Sequence, residues 1–352
     1  MRFFSCLLAL LLPLTARAQQ TWVTNAEGLS GQVRTLAGDS LVGAGGDAAK
    51  TARFGFLTGI AVADGMVYVA DDIKNCIFQF DPTTSAVRLL AGGTSGFADG
   101  VGAAARFDTP NGLATDGAGH LYVADLGNNR IRRIDLATGA VTTLAGSGQP
   151  GFADGPGAMA QFNGPAWVAA DSLGNVYVTE GKDSRIRQVE AASGTVRTLA
   201  GGRRGFADGN RAAARFDKPQ GLALDGKGNL YVADLGNHRI RQLVLATGTV
   251  TTLAGSGQQG LRDGLATVAQ FNQPMGIAAG PGVLYLTDRN NNRVCQLNLP
   301  AGTVRTLAGN GRKGFDDGLG ERAEFIGPVG IAVARQGAVY VVDVKFRIRT
   351  IE

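Results

Sequence analysis

Few side chains in this sequence have the chemistry of a catalytic centre. The only histidines are His120 and His238, which is too few for a three-histidine zinc site. No Gly-x-Ser-x-Gly segment is present to hold a nucleophilic serine at a strained turn. Both histidines occupy positions where other copies of a repeated unit carry asparagine, such as Asn175 and Asn129. We therefore expect both histidines to lie in turns.

Glycine-rich segments in the sequence resemble dinucleotide-binding loops, but their context does not fit a dinucleotide site. The pattern Gly-x-Gly-x-x-Gly, found in dinucleotide-binding loops, occurs at 146–151, 255–260 and 309–314. A dinucleotide site needs a helix directly after such a loop, within a βαβ unit. Here the pattern recurs at a fixed period and leads into further glycine-rich chain. We interpret these loops as connections between repeated units.

The elements that must position these residues come from a repeat that covers the chain. Each unit contains four short strands separated by turn residues, as at 112–115, 121–125, 130–135 and 141–145. Four-stranded antiparallel sheets stacked around an axis form a β-propeller, and 53 glycines in 352 residues suit so many tight turns. The segment Val-x-x-Leu-Ala-Gly recurs every 54 or 55 residues, with its leucine at Leu36, Leu90, Leu144, Leu199, Leu253 and Leu307.

The chain ends predict how the ring closes. The last unit stops at its third strand, 347–352, and a fourth strand with no unit of its own stands at 31–38. Pairing these two segments would remove an exposed strand edge. We therefore predict an all-β fold, a six-bladed β-propeller of four-stranded antiparallel blades, closed by the N-terminal strand.

The first residues predict export. Arg2 is followed by an apolar run to Leu14 and then by Ala16-Arg17-Ala18, the order of a secretory signal peptide. The predicted divisions are a signal peptide at 1–18, an N-terminal tail at 19–31 and the propeller at 32–352. Loss of Arg2 and Arg17 lowers the formal charge of +5 by two. We expect a secreted or periplasmic monomer with no nucleic-acid partner and no membrane insertion.

The motifs carry a family resemblance. Gly-Leu-Ala-x-Asp, Leu-Tyr-Val-Ala-Asp and Asn-Asn-Arg-Ile-Arg at 112–132, with their counterparts at 221–241, resemble the NHL repeat. The resemblance implies a six-bladed propeller, and inserts such as 96–110 resemble those of exported bacterial members. Trp167 departs from the pattern, because glycine is expected there. NHL propellers serve mostly as interaction scaffolds, with a minority of enzymes among them and among the similar calcium-dependent lactonases.

Acidic residues recur once per unit, and we assign them to the fold. Catalysis needs asymmetry, whereas a feature of every copy usually serves the structure. We predict that the acids ending the second strands cap turns or pair with Arg130, Arg185, Arg239 and Arg293. These acids are Asp71, Asp125, Glu180, Asp234, Asp288 and Asp343, and the inserts add Asp99, Asp154, Asp208, Asp263 and Asp317.

Three further sets are also assigned to structure. Arginines of the third strands, such as Arg130, Arg132 and Arg133, alternate with isoleucine and predict an exposed strand face. Cys76 and Cys295 fall in blades that are not neighbours; because a disulfide needs Cα atoms within about 7 Å, we expect free thiols. One phenylalanine per insert is expected to pack between blades, namely Phe54, Phe107, Phe162, Phe216, Phe271 and Phe325.

The asymmetric residues cluster where each insert enters the innermost strand. The residue before the strand glycine differs between units, and Asp or Asn stands three residues earlier in several of them. We predict that these residues surround one mouth of the central channel, with Trp167 as an aromatic contact surface. The candidate binding residues are Asp108, Asn111, Asn163, Trp167, Asp217, Gln220 and Asn272.

Two functions remain open. The first is a scaffold that binds a protein, peptide or glycan through the insert face, with no cofactor and no catalytic residue. The second, implied by the lactonase resemblance, is a calcium-dependent hydrolase with Asp108 and Asp217 near a channel ion, since calcium prefers oxygen ligands. The sequence lacks a glutamate matching the lactonase pattern.

Overall fold

The strands of this protein are rich in Val, Ile, Leu and Tyr, and the structure assembles them into six antiparallel sheets. It is a computed structural model and describes residues 29–38, 52–344 and 346–352. Second strands such as Leu-Tyr-Val-Ala-Asp of 121–125 are buried along their whole length. A strand is buried on both faces when neighbouring blades cover both sides of its sheet. The predicted six-bladed propeller is confirmed.

The strands follow the repeat. Blade 1 is β2–β5, blade 2 is β6–β10, blade 3 is β11–β14, blade 4 is β15–β19, blade 5 is β20–β24, and blade 6 is β25–β28 with β1. The first half of the chain contains β1 (Gln32–Ala37), β2 (Leu57–Ala63), β3 (Met66–Asp71), β4 (Cys76–Asp81), β5 (Ala86–Gly92), β6 (Gly100–Val101), β7 (Pro110–Thr115), β8 (His120–Asp125), β9 (Arg130–Asp135), β10 (Ala140–Ala145), β11 (Pro165–Ala170), β12 (Val176–Glu180), β13 (Arg185–Val189) and β14 (Val196–Gly201).

The second half contains the remaining strands and most of the short helical turns. Its strands are β15 (Gly209–Asn210), β16 (Pro219–Leu224), β17 (Asn229–Asp234), β18 (Arg239–Val244), β19 (Thr249–Ala254), β20 (Gly264–Leu265), β21 (Pro274–Gly280), β22 (Val283–Asp288), β23 (Arg293–Asn298), β24 (Thr303–Ala308), β25 (Gly318–Leu319), β26 (Pro328–Val333), β27 (Val339–Asp343) and β28 (Arg347–Ile351). Single 3-10 turns occur at Gly102–Ala104, Arg211–Ala213, Leu235–Asn237, Arg289–Asn291 and Gly320–Arg322.

The ring closes between the two ends of the chain. The N-terminal strand β1 pairs antiparallel with the last strand β28, with Val33 opposite Ile351 and Thr35 opposite Arg349. The six innermost strands contact one another in the cycle β2, β7, β11, β16, β21, β26 and back to β2. The predicted closure by the N-terminal strand is therefore confirmed.

The inserts add a fifth strand that the sequence did not predict. In blade 2, β6 pairs with the outer strand β10 over Gly100 and Val101. Equivalent two-residue strands extend blades 4, 5 and 6, whereas the insert of blade 3 makes only an isolated bridge between Gly155 and Val196. The inserts that lead into blades 2 to 6 thus leave one blade, border the next at its outer edge and cross to that blade's innermost strand.

The hydrophobic core lies between blades. Phe107 packs with Ala70 and Ile77 of blade 1 and with Leu121 of blade 2. The six predicted inter-blade phenylalanines are each 0% or 1% exposed, and burial of one such ring stabilises the fold by about 1.5–3 kcal/mol. Their predicted location is confirmed.

The innermost strands approach one another closely, which explains a glycine at the same place in five blades. A Cβ on Gly112 would lie 2.5 Å from the Cα of Trp167 in the next blade, and a Cβ on Gly221 would lie 2.4 Å from the Met275 carbonyl oxygen. Blade 3 carries Trp167 itself at this position. Its side chain is 4% exposed, so the predicted aromatic contact surface at Trp167 is wrong.

The remaining sequence predictions concern the leader and the cysteines. The proposed signal peptide lies outside the described residues. No helix in the described part of the chain has the length and apolar character needed to cross a bilayer. Cys76 and Cys295 are both buried and unbridged, and burial raises the pKa of each thiol.

Candidate functional site

Strand direction gives the central channel two different mouths. The innermost strand of each blade starts where the insert arrives, so the turns between second and third strands, such as 126–129, lie on that side with the inserts. We call it the insert face. The turns between first and second strands, such as 116–119, lie at the other end, which we call the turn face.

The recurrent acids hold the inserts to the blades, but with different arginines from those predicted. Asp125 accepts hydrogen bonds from the Asp108 N–H at 2.9 Å and from Arg132 Nη1 at 2.7 Å. Arg132 also reaches Asp99 Oδ1 in the insert at 2.7 Å. Arg130, the predicted partner, instead stacks on the Phe97 ring, 3.7 Å from its centroid. We call this arrangement, an arginine paired with both the strand-end acid and an insert aspartate, the arginine clamp. The clamp recurs as Glu180–Arg187–Asp154, Asp234–Arg241–Asp208 and Asp343–Arg349–Asp317.

These arginines correct a second prediction. Arg132, Arg187, Arg241 and Arg349 are fully buried, so the third strands do not present a simple exposed arginine face. Burial raises the pKa of Asp125, although hydrogen bonds from Asp108, Asn128 and Arg132 oppose that shift.

Blade 5 builds the clamp from a different register. Its arginine stands two residues earlier, at Arg293, and Cys295 fills the usual arginine position. Arg293 Nε bonds Asp288 Oδ2 at 2.9 Å and its Nη1 bonds Asp263 Oδ1 at 2.6 Å. Here the predicted pairing of Asp288 with Arg293 is confirmed.

The two aspartates proposed as metal ligands are engaged within their own blades. Asp108 accepts a hydrogen bond from the Thr109 hydroxyl at 3.1 Å, and its carboxylate covers Gly127, where a Cβ would stand 2.4 Å from Asp108 Cγ. Asp217 packs likewise on Gly236 and pairs with Arg204 Nε at 2.7 Å. Both carboxylates therefore serve the turns of the insert face.

Two of the three predicted asparagines also make hydrogen bonds within their own blades. Asn163 donates from Nδ2 to Asp183 Oδ1 at 2.8 Å, and the N–H of Asn272 donates to Asp288 Oδ1 at 2.7 Å. Asn111 differs, because its Oδ1 is buried and has no hydrogen-bond partner among the described residues. Asn111 is thus an acceptor that still needs a donor.

A cavity of about 330 Å³ opens at the predicted mouth, between blades 2, 3 and 4. It is lined by the predicted residues Asn111 and Gln220 and by two lysines that sequence reasoning missed, Lys182 and Lys218. Neither lysine forms an ion pair or hydrogen bond through its ammonium with any described residue. Among the residues that the structure describes, no carboxylate lines this wall, so the cavity presents two cations and two side-chain amides. We call it the lysine pocket.

The position of Lys182 could have been singled out from the sequence, because blade 3 departs from the repeat there. In blades 2 and 4 the same turn position is Gly127 or Gly236, each closed over by an aspartate. Blade 3 has Asn163 in place of that aspartate, and Gly164 leaves room for the Lys182 chain, whose Cε would be 3.2 Å from a Cβ there. The lysine pocket therefore forms where blade 3 departs from the repeat.

This geometry does not fit a calcium ion held by Asp108 and Asp217. Calcium takes about six to eight oxygen ligands, usually several of them carboxylates. Within the described residues, no group of three His, Cys, Asp or Glu side chains is placed to hold a metal. Two ammonium groups in the wall of the lysine pocket also oppose a divalent cation.

His238 lies in a turn, as predicted, whereas the same prediction for His120 is wrong, because His120 is the first residue of β8 and pairs with Asp135. His238 adopts a left-handed conformation with φ 53°, and its Nδ1 accepts a hydrogen bond from the Gln273 N–H of the next blade at 3.1 Å. Asn129 makes the same link to Gly164 at 2.9 Å. His120 lies on the turn face, with Nδ1 2.8 Å from Asp116 Oδ2.

A larger cavity of about 840 Å³ opens on the turn face. No sequence argument pointed to this mouth, because its turns resemble ordinary hairpin turns. Its wall combines strand ends such as Val62 and Leu224 with the charged residues Asp64, Asp116, Asp171 and Arg335. We call it the turn-face cavity.

Comparison with known sequences places this architecture in a family. The NHL repeat family matches residues 107–134 and 216–243, which run from the insert phenylalanine to the third strand in blades 2 and 4. Protein SUPPRESSOR OF QUENCHING 1, chloroplastic, of Arabidopsis thaliana is 32% identical over 275 residues, 73% of this chain and 26% of that protein. NHL repeat-containing protein 2 of Bos taurus is 30% identical over 292 residues, 70% of this chain and 39% of that protein. The chain thus spans between about a quarter and two-fifths of the length of these relatives.

Solved structures share the fold. A protein of Bacteroides thetaiotaomicron described as an auxiliary nutrient binding protein superposes with a TM-score of 0.67 at 16% identity, covering 91% of this chain and 76% of that one. A gluconolactonase of Xanthomonas campestris superposes with a TM-score of 0.59 at 15% identity, covering 91% and 89%. At these identities the likeness concerns the fold alone.

Proposed function

The chain is a six-bladed NHL-repeat β-propeller, and on that premise we propose that it is a binding module whose lysine pocket holds an acidic glycan. The observation that carries the proposal is the pair Lys182 and Lys218, two ammonium groups that have no ion-pair partner among the described residues and lie at one mouth of the channel. Such a pair favours a ligand with a carboxylate.

The rest of the wall favours a hydroxylated ligand. Asn111 lines the pocket, and its side-chain amide carries N–H groups that can donate to sugar oxygens. The side chain of Gln220 offers both a donor and an acceptor. A neighbour in fold is described as a nutrient binding protein, which agrees with small-ligand capture by a propeller of this kind.

Export is part of the same proposal. The segment 1–18 has the order of a signal peptide, and an exported protein meets extracellular or envelope glycans. N-terminal sequencing of the protein recovered outside the cytoplasm is expected to begin at Gln19.

The test is calorimetric titration of the mature protein with tetragalacturonate, an acidic oligosaccharide. We expect binding that weakens as salt is raised, and about tenfold weaker binding in Lys182→Ala or Lys218→Ala, because a hydrogen bond to a charged group contributes about 1.5–3 kcal/mol. Lys227→Ala, an exposed lysine in a turn of the other face, is the matched control and should bind normally.

Three outcomes would contradict this function. The first is equal binding of tetragalacturonate and the neutral maltotetraose. The second is tighter binding of an acidic peptide than of either sugar, and the third is full affinity for tetragalacturonate in both lysine variants. The lactonase alternative has its own signature: lactone hydrolysis that EDTA abolishes, calcium restores, and Asp108→Ala or Asp217→Ala removes.

A further inference from the structure

The turn-face cavity is a second cavity, at the opposite end of the channel from the lysine pocket. Its volume of about 840 Å³ lies within the range of small-ligand sites. Its walls include the ends of innermost strands at Val62, Leu224 and Val333. At the rim stands Leu173, whose side chain is 80% exposed. The cavity therefore offers apolar surface that the fold does not use.

Two of the carboxylates in this cavity are fully occupied by their own hairpins. Asp116 accepts hydrogen bonds from the N–H groups of Ala118 and His120, from His120 Nδ1 and from the Tyr122 hydroxyl. Asp171 makes the equivalent set with Leu173, Asn175 and Tyr177. Their acceptor positions are filled, so neither carboxylate is available to a ligand.

The other two charges are available and opposite in sign. Arg335 comes from blade 6 and extends towards blade 2, where its Nη2 lies 3.5 Å from the place a Cβ on Gly117 would occupy. Asp64 belongs to the turn of blade 1. Both line the cavity and both are exposed. Neither side chain has a hydrogen-bond or ion-pair partner in the described chain, and they form no ion pair with each other.

We propose that the turn-face cavity binds a short free peptide with apolar side chains. A peptide with free ends carries an ammonium at one end and a carboxylate at the other, separated by its backbone. These charges are opposite to those of the Asp64 carboxylate and the Arg335 guanidinium, which do not pair with each other. Arg335 would take the C-terminal carboxylate through paired N–H donors, and Asp64 the N-terminal ammonium. The apolar side chains would cover Leu173, Val62 and Leu224.

The size of the cavity favours a dipeptide or tripeptide over a single amino acid. Sites near the upper end of the small-ligand range enclose drug-sized molecules. This site shares no residue with the lysine pocket, so the proposal stands independently of the glycan function.

Calorimetric titration of the mature protein with Leu-Leu tests the proposal. We expect binding, and at least tenfold weaker binding when the peptide is N-acetylated or C-amidated. The Arg335→Gln variant should bind Leu-Leu more weakly than the native protein does. It should bind C-amidated Leu-Leu as well as it binds unmodified Leu-Leu, because the group that contacts the peptide carboxylate has been removed. The Asp64→Asn variant should likewise bind N-acetylated Leu-Leu as well as it binds unmodified Leu-Leu. Asparagine suits this position because it tolerates the φ of 50° found there.

Two controls separate this site from others. Arg312→Gln removes an exposed arginine on the insert face and should leave Leu-Leu binding unchanged, as should the paired change of Lys182 and Lys218 to alanine. Failure of the native protein to bind Leu-Leu at millimolar concentration would overturn the proposal. So would equal binding of the doubly blocked peptide, or a loss of affinity in Arg312→Gln equal to that in Arg335→Gln.

Discussion

Single residues decide how firmly the inserts attach to the blades. In blade 2, Arg132 connects the buried Asp125 with the half-exposed Asp99, whose side chain is 49% exposed. Removing one partner of a buried ion pair leaves an uncompensated charge and typically costs about 3–5 kcal/mol.

We therefore expect Arg132→Met to lower the free energy of unfolding by about 3–5 kcal/mol, measured by urea denaturation. Asp99→Asn should cost clearly less, about 1 kcal/mol, because water already screens that carboxylate. Equal losses in the two variants would contradict the assignment of Asp125 as the principal partner.

His238 provides a pH-dependent link between blades 4 and 5. Burial, helped by the nearby Arg239, lowers the pKa of His238, while Asp217 opposes that shift. The unfolded chain therefore takes up the proton more readily than the folded one. The contribution of His238 to stability is present above the ordinary histidine pKa of about 6.5 and is lost as the pH falls below it.

The prediction is a larger fall in stability between pH 7 and pH 5 for the native chain than for His238→Asn. Asparagine makes the same link in other blades, as Asn129 does to Gly164, and it does not titrate. Thermal melts of the two proteins across this range provide the measurement. Parallel pH profiles would show that the His238 link does not couple to protonation.

At the scale of strands and turns, the regular features could be predicted from the sequence and the exceptions could not. The hairpin turns and the buried second strands repeat in every unit, so each copy supports the others. The two-residue outer strands escaped prediction because strands of that length, as at Gly100 and Val101, have no detectable side-chain alternation. Their pairing depends on contact between the insert and the outer strand of the blade that follows it, and three strands of that blade lie between them in the sequence.

Arginine burial escaped prediction for a related reason. Alternation of Arg and Ile in a strand predicts a polar face and an apolar face. The polar face at Arg132 is covered by the insert, whose Ala98 carbonyl and Asp99 carboxylate accept hydrogen bonds from Arg132 Nη2. Sequence alternation reports polarity, and it does not report what lies above a strand.

Trp167 and the lysine pocket show the same limit at the candidate site. A departure from the repeat directed attention to blade 3, but it could not show that the Trp167 side chain is buried. The tryptophan is buried on its innermost strand, whereas Lys182 occupies a turn left open by Asn163 and Gly164. Both follow from the packing of neighbouring blades, which no single unit encodes.

For the molecule as a whole, stability depends on the pairing of β1 with β28. Val33 is fully buried in the core between blades 5 and 6, whereas Arg34 is exposed beside it, with 63% of its side chain accessible. These adjacent residues allow a matched test of ring closure.

We expect Val33→Asp to lower the free energy of unfolding by at least about 3 kcal/mol and to promote aggregation through the freed edge of β28. Arg34→Asp should change stability by less than about 1 kcal/mol. Urea denaturation and light scattering measure the two effects. If both variants unfold at the native urea concentration, closure by β1 contributes little to the ring.

The pairing that closes the ring also orients the molecule. The N–H of Gln32 donates to the Glu352 carbonyl oxygen at 3.1 Å, so the start of β1 and the last residue lie side by side on the turn face. A domain, anchor or surface joined at either point would therefore leave the insert face pointing away from the attachment. In an assembled or immobilised form the lysine pocket would be displayed outward, while the turn-face cavity would look back towards whatever the protein is attached to.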